Sequence, residues 1–545
     1  MKYTFLILMC LFSFASYAQT EEEIKWIRER SNIEALNILK EQYKTEFNQR
    51  KQLALEYAEQ NGWEVFIEED GAYSELMDVG KEEKPLYYTT TSNVDASEST
   101  RTNHLNTGGS LGLNLNGQSM SAYVWDAGPV RVTHQEYGSR AIIGDGVTVL
   151  NGFGSDHATH VTGTIIAEGI DVNAKGMANE ANAITNDWNA DLSEATAAAS
   201  NGMLLSNHSY GSRSNLLPDW QFGAYTQTSR NWDKIMFNAP YYLMVKSAGN
   251  DGNDNTVNGA PLNGNQNFDK LGPSSNAKNN LVIASTQDAN IDTQGNLINV
   301  NIAASSSQGP TDDLRIKPDI AGNGVTLYST LSSNNMDYGS LSGTSMASPN
   351  VTGSLLLLQQ HYNDLNGNFM RAATLKGLAL HTADDIGVPG PDAVSGWGLL
   401  NTKRAAEAIS NTSTTMNYII DENTLLTGAT HSITVISDSQ NPLIASISWT
   451  DPHGSPNTGI TNLTTPVLVN DLDIRITKNG NSFMPFRLTG VNTNGNGDNT
   501  VDPYERIDIN GASGTYTITV THKGTLTNGK QKFSLILTGL SSSIA

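Results

Sequence analysis

Four short stretches of this chain hold side chains that could together carry out acyl transfer. A serine nucleophile needs a base beside its hydroxyl, a carboxylate behind the base, and donors facing the oxyanion that develops. Ser345 lies in Gly343-Thr344-Ser345-Met346-Ala347-Ser348-Pro349, ahead of an apolar run of helical period. Small neighbours would let a substrate backbone approach, and the helix N-terminus would turn its partial positive charge toward Ser345. Pro349 is expected in the first helical turn, where its missing N–H is harmless. His157 opens His157-Ala158-Thr159-His160-Val161-Thr162-Gly163-Thr164, small and β-branched residues suited to packing a helix closely on a sheet. Asp126 directly follows the apolar run 122–125, and ligand crevices open at the carboxyl ends of parallel strands. Asn250 closes Ser247-Ala248-Gly249-Asn250, where a neutral amide could donate to an oxyanion without titrating.

Each of these has a plainer reading when taken alone. Ser345 would be a helix cap, Asp126 and Asn250 turn residues, and His157 and His160 satisfied core or surface side chains. Their presence together in one chain favours the chemical reading.

The elements that must position them can be read from periodicity. Strands are expected over 121–125, 241–246 and 281–284, and helices from 157 to 167, from 192 to 199 and from 349 to 362. This alternation, ending near residue 410, predicts an α/β fold with a mainly parallel sheet covered by helices on both faces. From residue 415 the helical period gives way to short alternating runs at 432–436, 444–449, 473–477, 515–520 and 533–537, separated by loops rich in Asn, Gly and Asp. That pattern predicts a C-terminal β-sandwich.

Ahead of the α/β region, residues 21–60 are charged and helical in period, with Ile24, Ile27, Leu36, Leu39, Tyr43 and Phe47 on one stripe. Strand-like runs at 63–67 and 85–88, with an Asp70-Gly71 turn between them, complete a small α+β segment. Residues 89–107, rich in Ser, Thr and Asn, read as an exposed linker. At the extreme N-terminus Lys2 precedes an apolar stretch too short to span a bilayer, followed by small residues up to Ala18. This is a signal peptide in form, cut after Ala18, and implies export to the extracellular space or periplasm. A lipid anchor at Cys10 is disfavoured because apolar residues continue past it to Phe14. Cys10 is the chain's single cysteine, so the processed protein would lack disulfides. The formal net charge of −22, from 33 basic and 55 acidic side chains, argues against nucleic acid or an anionic membrane as partner.

The Asp126, His157, Asn250 and Ser345 motifs, in that order, resemble those of the subtilisin-type serine peptidases. The resemblance runs from about residue 111 to 406 and includes Lys175-Gly176-Met177-Ala178, Asn207-His208-Ser209-Tyr210-Gly211, Lys317-Pro318-Asp319-Ile320 and Gly396-Trp397-Gly398-Leu399-Leu400-Asn401. It implies Ser345 as nucleophile, His157 as general base and then acid, Asp126 as the group orienting the imidazole, and Asn250 as oxyanion donor. Ser209, Tyr210 and Gly211 would form one wall of the substrate cleft by pairing with an extended peptide, and His160 would be structural. Ala158 and Thr162 depart from the family pattern, which has glycine and alanine there. Ser448-Trp449-Thr450-Asp451-Pro452 and Leu468-Val469-Asn470-Asp471-Leu472-Asp473 resemble the jelly-roll-like β-sandwich that follows the peptidase domain in some large subtilases.

On this reading residues 1–18 are the signal peptide, 19–95 a propeptide acting as folding helper and temporary inhibitor, 96–410 the peptidase domain and 411–545 the β-sandwich. A retained N-terminal domain is the alternative for 19–95. Protein or peptide substrates, a monomeric state and no cofactor for the chemistry are expected. Oxygen-rich loops at 251–258 and 492–505 could hold structural calcium, although turn formation alone accounts for their composition. Two rival functions stay open: a sedolisin-type peptidase with a glutamate base, against which His157 and Asn250 argue, and an inert peptidase fold serving as a binding module.

Overall fold

The computed structural model describes residues 19–69, 72–79, 85–89, 96–414 and 417–541. The expected signal peptide with Cys10, and the expected Asp70-Gly71 turn, lie outside the described residues. The alternating region forms a seven-stranded sheet in the spatial order Ile320–Asn323, Leu281–Thr286, Leu243–Ser247, Leu205–His208, Ser121–Asp126, Asn182–Asp187, Ala141–Ile143. Every neighbouring pair is parallel.

Successive strand residues point to opposite faces, and the two faces bury different cores. Ala122, Val124, Leu243 and Val245 pack with Val161 and Ile165 of the helix Phe153–Ile166 and with Met346, Val351 and Leu355 of the helix Thr344–Asn366. Trp125 and Met244 face the other way, against Leu192 and Ala195 of Asp191–Ser200 and Trp232 and Ile235 of Gln227–Asn238. The expected α/β architecture with helices on both faces is the one observed.

Three local expectations differ from the structure. The helix bearing His157 starts a turn earlier, at Phe153, so His157 is its fifth residue. The helix bearing Ser345 starts at Thr344, which puts Pro349 sixth and inside the helix, beyond its first turn. Of the expected exposed linker, residues 96–107 are instead folded into the α/β domain: Ala96–Ser99 is a short helix and Arg101 is fully buried. The guanidinium of Arg101 donates to Ser99 O at 2.6 Å and Leu400 O at 3.2 Å and pairs with Asp384, while the Thr102 hydroxyl meets Ser354 Oγ at 2.6 Å. Polar composition misleads here because these side chains find their hydrogen bonds inside the protein. Residues 90–95 lie outside the described part.

The N-terminal stripe is divided between two helices, Glu21–Glu29 and Ile33–Asn61, because Asn32 caps the second by accepting from Ala35 N at 3.1 Å. Leu36, Leu39 and Tyr43 join the core of Trp188 and Trp232, and Ile27 enters the main core. Strands Phe66–Glu69, Ala72–Val79 and Pro85–Thr89 follow as an antiparallel sheet.

The C-terminal region is a sandwich of two four-stranded antiparallel sheets, beginning after the helix Thr402–Thr414, which runs past the expected boundary at 410. Ile447, Ile474, Ile518 and Leu535 fill its core. It is tied to the α/β domain by Lys278, whose ammonium is fully buried against the Asp451 carboxylate and also donates to Pro452 O at 2.6 Å and Val467 O at 3.0 Å. Removing one partner of a buried ion pair strands the other charge. Lys278→Met is therefore expected to destabilise the chain by about 3–5 kcal/mol, read as a lowered urea midpoint.

Candidate active site

The central strands end side by side, and the four sequence motifs meet at their carboxyl ends. Asp126 is the last residue of Ser121–Asp126; Ser209 follows Leu205–His208; Asn250 lies three residues after Leu243–Ser247. Asp126 and His157 are fully buried. His157 Nδ1 donates to Asp126 Oδ1 at 2.6 Å, and Ala127 N–H donates to the same oxygen at 2.7 Å. This bond fixes the imidazole tautomer and leaves Nε2 as the nitrogen that can take a proton. His160, one turn along, bonds through Nε2 to the Leu327 carbonyl at 3.0 Å, a structural tie.

Pro349 has a consequence for Ser345. In an α-helix the N–H of residue 349 would bond the carbonyl of residue 345, and proline has no N–H to give. The Ser345 carbonyl instead accepts from Ser209 Oγ at 2.5 Å. In return Ser345 Oγ donates to Ser209 O at 2.9 Å. The nucleophile candidate is thus laced to the first residue of the expected substrate wall, and its hydroxyl must rotate away from Ser209 before it can meet a base. Asn207 extends the lacing: its Nδ2 donates to Ser209 Oγ at 2.9 Å, and its Oδ1 accepts from Ser348 at 2.8 Å and Thr352 at 3.1 Å.

Asn250 is oriented by the residue before Ser345. Thr344 N–H and Oγ1 donate to Asn250 Oδ1 at 2.9 and 3.1 Å, so the amide's NH₂ is the end able to donate elsewhere. The Thr344 hydroxyl also receives Gly249 N–H at 3.1 Å.

A cleft of about 290 Å³ is lined on one side by Tyr210, Gly211 and Ser212, on the other by Ala248, Gly249 and Asn250, and by Ser345. Buried Leu217, Phe222 and Val257 supply its apolar part. The strand Pro85–Thr89 of the N-terminal segment pairs antiparallel with Gly211–Ser212, Thr89 opposite Gly211 and Tyr88 opposite Ser212. The edge expected to receive an extended peptide therefore carries a stretch of the chain's own N-terminal segment.

Sequence reasoning passed over Lys246. It is fully buried, and its ammonium donates to Tyr210 O and, at 3.3 and 3.2 Å, to Ser247 O and Oγ, tying the two cleft walls together. Burial pushes it down to about 7, against the pull of Asp126 and Asp191. A lysine in a short strand reads as solvent-facing, so only its place between the apolar run 241–245 and the small residues Ser247-Ala248-Gly249 hints at this role. In the two oxygen-rich loops, Asp254 accepts from Thr256 and Asn499 from Val501, which are turn contacts. No group of three acidic, histidine or cysteine side chains that could hold a metal ion occurs among the described residues.

Residues 144–398 match the model of the subtilase family, and the chain carries a domain of that family. His157, Asn250 and Ser345 fall within the matched residues; Asp126 precedes them. A stretch of 127 residues is 36% identical to the PII-type proteinase of Lactococcus lactis subsp. cremoris, spanning 20% of this chain and 7% of that proteinase. Another of 130 residues is 32% identical to the minor extracellular protease Vpr of Bacillus subtilis, over 22% of this chain and 16% of Vpr. A third, of 71 residues, is 41% identical to an extracellular serine protease of Serratia marcescens, over 13% and 6% of the two chains. The chain thus spans a small part of the length of these relatives.

Thr162, one of the two departures from the family pattern, is fully buried with a hydroxyl that has no hydrogen-bond partner among the described residues. An unpaired buried hydroxyl is costly, and valine has the same shape. Thr162→Val is expected to stabilise the protein by about 1 kcal/mol, seen as a raised midpoint of thermal unfolding.

Proposed function

We propose that this protein is an exported serine endopeptidase that hydrolyses peptide bonds of protein substrates through an acyl-enzyme. The observation that carries this reading is the 2.6 Å bond between buried His157 and Asp126, at a sheet edge shared with Ser345 and Asn250. In this mechanism Ser345 Oγ attacks the scissile carbonyl and passes its proton to His157 Nε2, whose positive charge Asp126 stabilises. The oxyanion accepts from the Asn250 amide and from the backbone N–H of Ser345 at the helix N-terminus. His157 returns the proton to the leaving amine, and water then repeats the sequence to release the acyl group. The extended substrate adds as a strand beside Ser209, Tyr210 and Gly211.

The N-terminal segment 19–95 acts as the propeptide. Its strand Pro85–Thr89 pairs with Gly211–Ser212, where a substrate strand would pair, and this supports a role as temporary inhibitor. Export is supported by the signal-like N-terminus and by the extracellular relatives. After removal of the signal peptide the protein has no expected membrane contact, and among the described residues no helix is long and apolar enough to cross a membrane. Monomeric action is part of the proposal.

Hydrolysis of casein by the purified protein, run beside Ser345→Ala with N-terminal sequencing of both, tests the whole reading. Activity and trimming of the N-terminal segment are expected with Ser345 intact, and a fall in kcat of roughly 10⁶ without it. No activity after removal of the segment from the unaltered protein would favour the binding-module reading. Asn250→Ala is expected to lower kcat by roughly a hundredfold to a thousandfold with KM little changed, the cost of losing one oxyanion donor in subtilisin itself.

A further inference from the structure

Away from the candidate catalytic residues, two buried aspartates stand close together with three of their four carboxylate oxygens lacking a hydrogen-bond partner among the described residues. Asp269 is fully buried and Asp312 is 2% exposed. Asp269 Oδ2 accepts from Leu262 N–H at 2.9 Å and Asn258 Nδ2 at 3.0 Å. Asp269 Oδ1 and both oxygens of Asp312 have no hydrogen-bond partner among the described residues. Leu463 N–H approaches Asp312 from the C-terminal domain without closing a hydrogen bond. Arg315 attracts Asp312 only weakly against the effect of burial; its guanidinium bonds Asp313 at 3.0 Å and the Asn276 carbonyl at 2.8 Å and forms no hydrogen bond to Asp312 among the described residues.

Gly223 shows how close the two carboxylates stand. A Cβ placed on it would lie 2.4 Å from Asp269 Oδ1 and 2.8 Å from Asp312 Oδ1. Its φ of +64° also favours glycine, and its carbonyl receives Asp312 N–H at 3.0 Å. Two buried carboxylates at this separation are expensive in water-free surroundings unless a positive charge lies between them. Burial pushes Asp269 up to about 7; burial, then repulsion from Asp269 and Asp313, pushes Asp312 up to about 8. One shared proton would serve two of the three unpartnered oxygens. A hard cation serves all three, because it draws carboxylate, carbonyl and water oxygens into one shell.

We propose that Asp269 and Asp312, beside Gly223, form a binding site for a hard divalent cation, calcium by its ligand chemistry. With two carboxylates the site makes up its shell with neutral oxygens. The cation fastens three segments whose adjacent residues line the substrate cleft: Phe222 precedes Gly223, Val257 precedes Asn258, and Lys270 follows Asp269. Calcium therefore supports the cleft wall from behind and takes no part in the chemistry.

The site is tested without any reading of catalysis. The full chain carrying Ser345→Ala, to prevent self-digestion, is melted in EGTA and in CaCl₂, and its calcium stoichiometry is measured by titration calorimetry. Asp269→Asn and Asp312→Asn are compared on the same background. The parent is expected to gain roughly 2–4 °C in Tm at calcium about a hundredfold above Kd. Each variant should bind one ion fewer and lose that gain, yet melt in EGTA no lower than the parent, because the repulsion is gone. Equal calcium shifts and stoichiometry in parent and variants would overturn the proposal. So would a parent indifferent to calcium with an Asp312→Asn variant that melts higher, which would mean that the two carboxyls share a proton. Should one variant fail to fold, the other decides.

Discussion

Because Pro349 has no N–H, the carbonyl of Ser345 must find its partner outside its own helix, and it finds it on the sheet. The Ser209 hydroxyl that answers it is held by Asn207, and Asn207 is in turn held by Ser348 and Thr352 of the same helix. A small closed circuit of buried hydrogen bonds therefore fixes the first two turns of that helix against the end of the strand Leu205–His208. Every contact in it lies within the protein, where a satisfied polar network holds position more firmly than apolar packing does. The position of Ser345 relative to the cleft wall follows from this circuit.

The same economy of fixing one wall by another extends outward. Thr344 turns Asn250, and Lys246 joins the Tyr210 carbonyl on one wall to Ser247 on the other. A buried ammonium is costly unless its donors are all used, and Lys246 uses its donors on three oxygens of the cleft walls. With no disulfide in reach of a chain whose single cysteine is Cys10, buried polar ties of this kind supply the rigidity that a precise constellation requires.

Much of this was legible in the sequence. The parallel sheet followed from apolar runs such as 121–125 and 281–284, and the sandwich from period-two runs such as 515–520, because hydrophobic periodicity reports which face is buried. The Asp126, His157, Asn250 and Ser345 settings were distinctive because their neighbours are small and their elements strongly patterned. What stayed hidden depends on contacts between segments far apart in the chain. Residues 96–107 read as a linker because buried serines and threonines look like exposed ones until their partners, Ser354 and Thr402, are known. The cross-wall role of Lys246 is hidden for the same reason, because Tyr210 and Ser247 come to its ammonium only in the fold. Pro349 points to a helix starting near itself, a few residues later than Thr344 where it begins, and nothing local reveals that Ser209 replaces the missing donor. Asp269 and Asp312 are both turn-like in sequence and meet only in the fold.

The C-terminal sandwich bears on the cleft more directly than its separate core suggests. Its loop after Trp449 brings Asp451 onto Lys278, Gly454 N–H onto the Tyr225 hydroxyl at 3.2 Å, and Asn457 N–H onto the Tyr225 carbonyl at 2.7 Å. Tyr225 donates its hydroxyl to buried Asp233 at 2.7 Å, and Asp233 accepts the backbone N–H groups of Lys278 and Asn279 at 3.1 and 2.9 Å. Tyr225 is three residues from Phe222, which lines the cleft, and two from Gly223, which separates Asp269 from Asp312. The sandwich thus braces, from the far side, the wall that carries Phe222 into the candidate cleft. A chain truncated after the helix Thr402–Thr414 would keep every catalytic candidate, yet it would leave Lys278 buried without its carboxylate and Tyr225 without two of its donors. The cleft geometry is therefore a property of both domains together.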